Sequence, residues 1–197
     1  MMKASEKEAA FAGATPVGVA KAAPFTATWK APPAGLHTVV ARITDRKGRS
    51  TFSNAARVSA GLDNLARRGT FTASSGADGA AKAGDGDLFT SWNGEKKDDQ
   101  WLAVDLGAAT TVGAVAVSWW KAYAKAWAIQ VSDDGAAWRT VHAVPKKSEY
   151  LGNTDVVRFD PVRARHVRLL CKQRGTDWGG YAVYELGVFG APPPAQP

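Results

Sequence analysis

Asp85, Asp87 and Thr90 place three oxygen-bearing side chains in one short stretch, AGDGDLFTSW, at residues 83–92. Gly84 and Gly86 interleave with them, and glycine allows the backbone turns that a tight loop needs. Clustered hard oxygens suit a cation such as calcium. The stretch is not an EF-hand. With Asp85 as the first position the twelfth is Lys96, where that motif requires a bidentate glutamate. A further acid must come from elsewhere in the chain, and Glu185 is the candidate. It lies in the apolar run YAVYELGVF, where an isolated carboxylate is costly unless paired or bound to a metal.

Other reactive residue types are poorly placed for catalysis. His37, His142 and His166 fall in separate strand-like segments. Asp98-Asp99 and Asp133-Asp134 read as solvated turns, and nothing sets two acids across a cleft as glycoside hydrolysis requires. Cys171 is the single cysteine, so no internal disulfide forms. It shares a face with Val167 and Leu169, and reads as a small buried apolar residue rather than a nucleophile. An enzyme is therefore not expected.

The elements that must position the cation loop read as β throughout. Leu102, Val104 and Leu106 alternate with Trp101, Ala103 and Asp105; Val115, Val117 and Trp119 share a face, as do Trp127, Ile129 and Val131. Trp138, Thr140 and His142 are assigned one face of the next strand. Further strands are expected over 156–159, 166–171 and 183–189. Many short strands with glycine-rich turns indicate an all-β, antiparallel β-sandwich of the jelly-roll type. Such a sandwich can pair its two chain ends, which brings Glu185 towards the 83–90 loop.

The chain has 197 residues, 45% hydrophobic, with eight tryptophans and a net charge of +7. That composition supports a real core. The charge is not concentrated: residues 1–63 hold nine Lys/Arg against four Asp/Glu, and residues 64–197 hold sixteen against fourteen. Neither an aromatic-basic RNA motif nor a recognition helix occurs, so nucleic acid is not an expected partner. No apolar run is long enough to span a membrane as a helix, and the polar start MMKASEKEAA lacks the apolar core of a signal peptide.

Residues 1–10 are expected to be disordered, and residues 11–60 to form short strands separated by turns. FAGATPVG, APFTATWKAPPAGLHTVVARITDRKGRST and the closing VSA resemble the second half of a bacterial immunoglobulin-like domain. A whole sandwich of that type needs roughly 100 residues and about seven strands. The expectation is a smaller, truncated unit in a chain that continues upstream, so the missing signal sequence carries no information. APPPAQP (191–197) reads as a proline-rich linker remnant.

Residues 64–190 carry a second resemblance. Asn64-Leu65-Ala66, Thr72-Ala73-Ser74-Ser75, AGDGDLFTSW, WLAVDLG, IQVSDDGAAW, ARHVRLL and YELGVFG occur in order. Together they resemble the discoidin, or coagulation factor type C, domain, and in particular the carbohydrate-binding modules of family 32. The resemblance implies a structural calcium held by the side chains of Asp85, Asp87, Thr90 and Glu185 and by backbone oxygens near Lys82 and Tyr184. It also implies a glycan partner, an attached or associated extracellular enzyme, and residence outside the cell.

In this family ligands meet loops at one rim of the sandwich, here 92–99, 120–126 and 173–181. Sugars present C–H faces to aromatic rings and hydroxyls to planar polar groups. Trp119 continues the core face, which leaves its neighbour Trp120 for the rim. Trp178 sits in a glycine-flanked loop. Arg174 offers a fork of donors, Glu95 acceptors, and Tyr123 a ring and a hydroxyl. Tyr123 to Trp127 and RGTDWGGYAVYEL resemble modules attached to enzymes acting on β-glucans and chitosan. Where those often carry Trp-Glu, this chain has Trp119-Trp120, which favours a neutral glycan at least as much as an amino sugar. The competing expectation is a discoidin-type adhesion module for a protein or membrane surface. Glu95, Asp98, Asp99 and Asp177 on the rim oppose anionic lipid.

Overall fold

The computed structural model describes residues 7–12, 15–45, 47–53, 56–146 and 154–190. The described residues divide into two compact units, one ending at Leu62 and the other beginning at Asp63.

The first unit contains β1 (Lys7–Ala12), β2 (Thr15–Ala20), β3 (Gly35–Thr44), β4 (Ser50–Phe52) and β5 (Ala56–Ala60). They form one antiparallel sheet in the order β2-β1-β3-β4, with β5 also on β3. Residues 7–10 are a correction to the sequence reading. Polarity assigned them to a disordered start, yet Lys7 pairs with Thr44 and Glu8 with both Ala20 and Ile43. Backbone pairing on both sides holds this strand irrespective of its polar side chains. Among the described residues of this unit only Ala20 belongs to the buried hydrophobic set, while Val19, Ile43, Phe52 and Val58 are exposed.

The second unit contains β6 (Thr70–Ala73), β7 (Trp92–Gly94), β8 (Gln100–Trp119), β9 (Ala124–Ser132), β10 (Arg139–Val144), β11 (Thr154–Arg174) and β12 (Tyr181–Phe189). Two 3-10 helices, Leu65–Arg68 and Ala77–Gly84, flank β6. The antiparallel strand order is β10-β9-β11-β8-β12-β7, with β6 on the free side of β8. The expected β-sandwich is present. The long strands β8 and β11 build both of its layers. Their early and late halves, 100–105 with 166–171, meet β6 and β9, whereas 114–118 with 154–158 meets β12.

The sequence reading divided each long strand in two. Gly107 and Asp160-Pro161 resemble strand ends, but register shifts at Arg158/Val162 and Ala164/His166 carry β11 round the corner without a loop. Bulges of this kind bend a strand while keeping it in the ladder. A shift at Thr140/His142 likewise breaks the single face assigned to Trp138, Thr140 and His142. Between the layers Leu102, Val104, Val115, Val117, Ile129 and Leu169 are fully buried, as are Trp119 and Cys171. Burial raises the Cys171 thiol pKa well above its ordinary value, which removes it further from nucleophilic chemistry.

The ends of the unit are tied by Asn64. Its side-chain oxygen accepts from the Ala66 amide at 3.1 Å and from the Val188 amide at 2.9 Å. The same atom thus caps the first 3-10 helix and clasps β12. The proline-rich tail lies outside the described residues. No helix among the described residues is long and apolar enough to cross a membrane.

Candidate functional site

Three loops converge at one end of the second unit, and backbone contacts fix them. The Trp120 amide donates to Ala182 at 3.0 Å, Ala182 to Ala122 at 2.7 Å, and Gly175 to Tyr123 at 2.8 Å. Gly180 packs so tightly on the carbonyls of Gly94 and Glu95 that a Cβ would lie 2.1 Å and 2.6 Å from their oxygens. Only glycine permits this approach.

Trp120 and Trp178 meet there. Their ring centroids are 5.8 Å apart and the rings stand at 85°. They are 42% and 54% exposed, which sets them apart from buried Trp92, Trp119 and Trp127. The parity that separates Trp120 from Trp119 has a hydrogen-bond reason as well as a packing one. The Trp119 indole donates to Asp155 at 2.9 Å inside the unit. Two perpendicular exposed indoles make a corner that can hold two faces of one ligand.

Arg174 is the last residue of β11, where the chain leaves for the loop that carries Trp178. Its backbone amide donates to Asp98 Oδ1 at 3.1 Å, and its Nε to the same oxygen at 3.3 Å. The Tyr181 hydroxyl donates to that oxygen too, at 3.3 Å. These bonds, the Arg174 amide first, hold the Asp98 carboxyl below its usual range. Burial pushes the Tyr181 phenol far above its ordinary value, so it stays a donor. Asp98 is therefore the organiser of this rim, not an idle solvated turn. Sequence reading missed it because Arg174 lies 76 residues away.

Glu95 and Tyr123 occupy different positions in this arrangement. Glu95 is exposed and pairs with Lys97 at 2.8 Å. The Tyr123 ring is partly buried against the core and lies over Gly175, where a Cβ would come within 2.4 Å. Tyr123 thus supports the loop from beneath while Trp120 and Trp178 face outward.

The predicted metal ligands lie at a second place. Phe71 covers Gly84 and positions the 3-10 helix Ala77–Gly84. Beyond it the chain turns at Gly86, φ +81°. Glu185 reaches this turn across the sheet, and its carboxylate accepts the Gly86 amide. A register shift between Val183 and Glu185 aims it. With strict alternation Glu185 would share the buried face of Val183; the shift lets Leu186 and Val188 take that face instead. Burial raises the Glu185 carboxyl above its ordinary range, and nearby Asp85 and Asp87 add to the rise. Exposed Arg67 opposes it.

The loop is closed on itself. Asp85 Oδ1 accepts the Asp87 amide at 2.8 Å and its Oδ2 accepts the Thr90 hydroxyl at 2.7 Å. These bonds lower the Asp85 carboxyl, the Asp87 amide contributing most. Lys82 is exposed and Tyr184 half-buried. Among the described residues no three His, Cys, Asp or Glu side chains are gathered as a ready metal-ligand set. The donor chemistry nevertheless fits a hard cation. The Glu185 carboxylate accepts the Gly86 amide, which lies between Asp85 and Asp87 in the chain, and carboxylate and hydroxyl oxygens are of the kind calcium takes.

A sequence model of the F5/8 type C domain matches residues 69–186. Chitosan-binding module 1 of a chitosanase/glucanase from Paenibacillus sp. IK-5 is 38% identical, covers 65% of this chain and 99% of its own, and superposes with a TM-score of 0.59. Module 2 of the same enzyme, solved with chitotriose, is 32% identical over 64% of this chain and all of its own, with the same TM-score of 0.59. The family 32 module of C. perfringens NanJ, solved with galactose, shares the fold at 22% identity, 65% and 97% coverage and a TM-score of 0.54. A polysaccharide lyase 8 family protein, HylA of Enterococcus faecalis, is 34% identical over 85 residues, or 40% of this chain. The chain spans only 6% of that relative's length. With the sandwich and the matched span in agreement, the chain belongs, through its second unit, to the F5/8 type C, or discoidin, domain family.

Proposed function

We propose that the second unit is a non-catalytic carbohydrate-binding module that recognises a β-linked glycan and targets an attached or associated extracellular enzyme. The observation that carries this reading is the exposed, perpendicular Trp120/Trp178 corner, at the same end of the unit as an Arg174 held by Asp98. Indole faces take the C–H surface of a sugar, and the guanidinium takes its hydroxyls. The chitosan-binding relatives, each matched over nearly all of its length, support the ligand class. The lyase relative supports association with a polysaccharide-degrading enzyme.

Calorimetric titration with neutral and amino β-glycan oligomers tests the reading. At least one should bind weakly, as single modules do before multivalency adds to them. Trp178→Ala should weaken that binding about 10-fold or more, as expected when an aromatic side chain that a ligand covers is removed. Silence across β-glucan, chitosan and galactoside oligomers would reject it.

We further propose that Asp85, Asp87, Thr90 and Glu185, with backbone oxygens near Lys82 and Tyr184, hold a structural Ca2+. When bound, the ion supplies charge neutralisation for the three carboxylates; the chain's own part is to bring Glu185 to the loop. Calcium in about 100-fold excess over its Kd should raise the melting temperature on the order of 10 °C, and chelation should reverse it. An unchanged melting curve with no ion in the purified protein would end this proposal.

A second reading, membrane-surface adhesion, has one observation in its favour. Leu88 and Phe89 are 59% and 96% exposed. Co-sedimentation with anionic vesicles, lost in Phe89→Ser, would support it over sugar binding.

A further inference from the structure

A groove of about 300 Å³ crosses the outer face of the sandwich, away from the rim loops. Its walls and floor come from three strands, β6, β8 and β11, and one turn. Register places Thr72, Ala103, Arg168 and Gln130 in one row across β6, β8, β11 and β9. Ala103 is the small residue that leaves the floor low. Trp101 stands on one side of the row, and Asp105, His166 and Thr70 on the other. Trp138 closes the groove from the turn before β10.

Arg168 is the centre of this groove. Its Nε and one terminal nitrogen donate to Gln130 Oε1 at 2.9 and 2.6 Å, and Gln130 is itself held by Thr140 at 3.1 Å. Its Cζ lies 4.2 Å from the Trp138 ring centroid and 5.9 Å from that of Trp101. The guanidinium is thus fixed between two indoles by a neutral amide. Among the described residues no carboxylate pairs with it. Partial burial lowers its pKa. The one acid lining the groove, Asp105, is already occupied by a bidentate Arg165 at 2.8 and 2.7 Å. A half-buried cation without a counter-ion, with donors left over from Gln130, calls for an anion of planar geometry.

The groove is built before any ligand arrives. The Trp138 indole donates to the Gly135 carbonyl at 3.0 Å. Asp134 Oδ1 accepts the Ala136 and Ala137 amides at 2.8 and 2.9 Å and so holds that turn. His166 packs edge-on against Trp138, centroids 6.4 Å apart. Indoles for C–H faces, Thr70 and Thr72 hydroxyls, and one uncompensated guanidinium are together the donor set for an acidic sugar.

We propose that this groove is a second saccharide site, which takes a carboxylate-bearing sugar residue on Arg168 between Trp101 and Trp138. It is independent of the rim site and of the ligand assigned to it. The carboxylate supplies the counter-charge that Arg168 lacks, and the two indoles flank the ring that carries it.

The test follows the indole N–H resonances of the full chain by NMR. Tetramers of galacturonate, mannuronate and glucuronate are the probes, against neutral tetramers and inorganic phosphate. At least one uronate should shift Trp101 and Trp138 saturably below about 10 mM. Arg168→Gln should weaken that effect about 10-fold or more, and so should Thr72→Trp, which fills the groove from an exposed strand. Trp178→Ala should leave it unchanged. The indole spectrum also reports folding; should Arg168→Gln unfold, Thr72→Trp decides. The proposal is overturned if no uronate shifts these resonances, or if neutral tetramers or phosphate match the uronates. It is equally overturned if the groove variants bind as wild type does, or if Trp178→Ala abolishes the effect. Loss of glycan binding at the rim with uronate binding intact rejects only the rim reading.

Discussion

At the scale of single residues, Glu185 links the 83–90 loop to pH. Its folded pKa is raised by burial and by Asp85 and Asp87. A carboxyl raised on folding opposes stability once ionised, and protonation relieves that penalty. Without calcium, then, this group makes the protein more stable as pH falls from 7 towards the raised pKa. Glu185→Gln should raise the melting temperature in chelator at pH 7 and flatten its change between pH 7 and 5. The same variant should abolish stabilisation by calcium. Asp105 and Asp134 behave oppositely, since both are held near a pKa of about 2. Their stability is present above the ordinary carboxylate pKa and lost as pH falls towards 2, outside the window in which Glu185 is read. Thermal melts at each pH, with and without calcium, check both signs. Asp98 has its own test. Asp98→Ala releases Arg174 and the Tyr181 hydroxyl together. Glycan affinity should fall about 10-fold, as expected when a recognition side chain loses its positioning partner, while the fold survives.

At the scale of elements, close backbone approach holds the rim together. Gly180→Ala would drive a methyl into the carbonyls of Gly94 and Glu95. Backbone cannot yield as a side-chain tip does, so destabilisation of about 1–3 kcal/mol is expected, read from urea unfolding, together with loss of rim binding. This scale also separates what was legible in the sequence from what was not. Leu102/Val104, Val115/Val117 and Ile129/Val131 announce their strands because one face of each is buried, and burial enforces period two. The continuity of β8 and β11 was hidden, because a bulge at a sheet corner looks like a turn in one dimension. Trp120 and Trp178 could be singled out from strand parity and flanking glycines. Asp98 could not, nor could the groove around Arg168. Trp101, Trp138 and Arg168 lie on three separate elements, and only the strand order makes them neighbours.

At the scale of the whole molecule, the two units differ in what stabilises them. The second has a continuous core between its layers, with Asn64 fastening its ends. In the first, strand pairing is extensive but burial is slight among the described residues. Backbone hydrogen bonds alone contribute little net stability, because water satisfies the same groups in the unfolded chain. Cooperative unfolding needs apolar surface removed from water. Residues 63–194 expressed alone should therefore melt within a few degrees of the main transition of the full chain, on the order of 0.5 kcal/mol or less apart, and should keep its calcium response and glycan affinity. Differential scanning calorimetry is the check, with the heat of the full chain's main transition close to that of the excised unit. A large loss of melting temperature on excision would mean that the first sheet contributes structure to the second unit, and the rim and groove would then need to be reconsidered as properties of the whole chain.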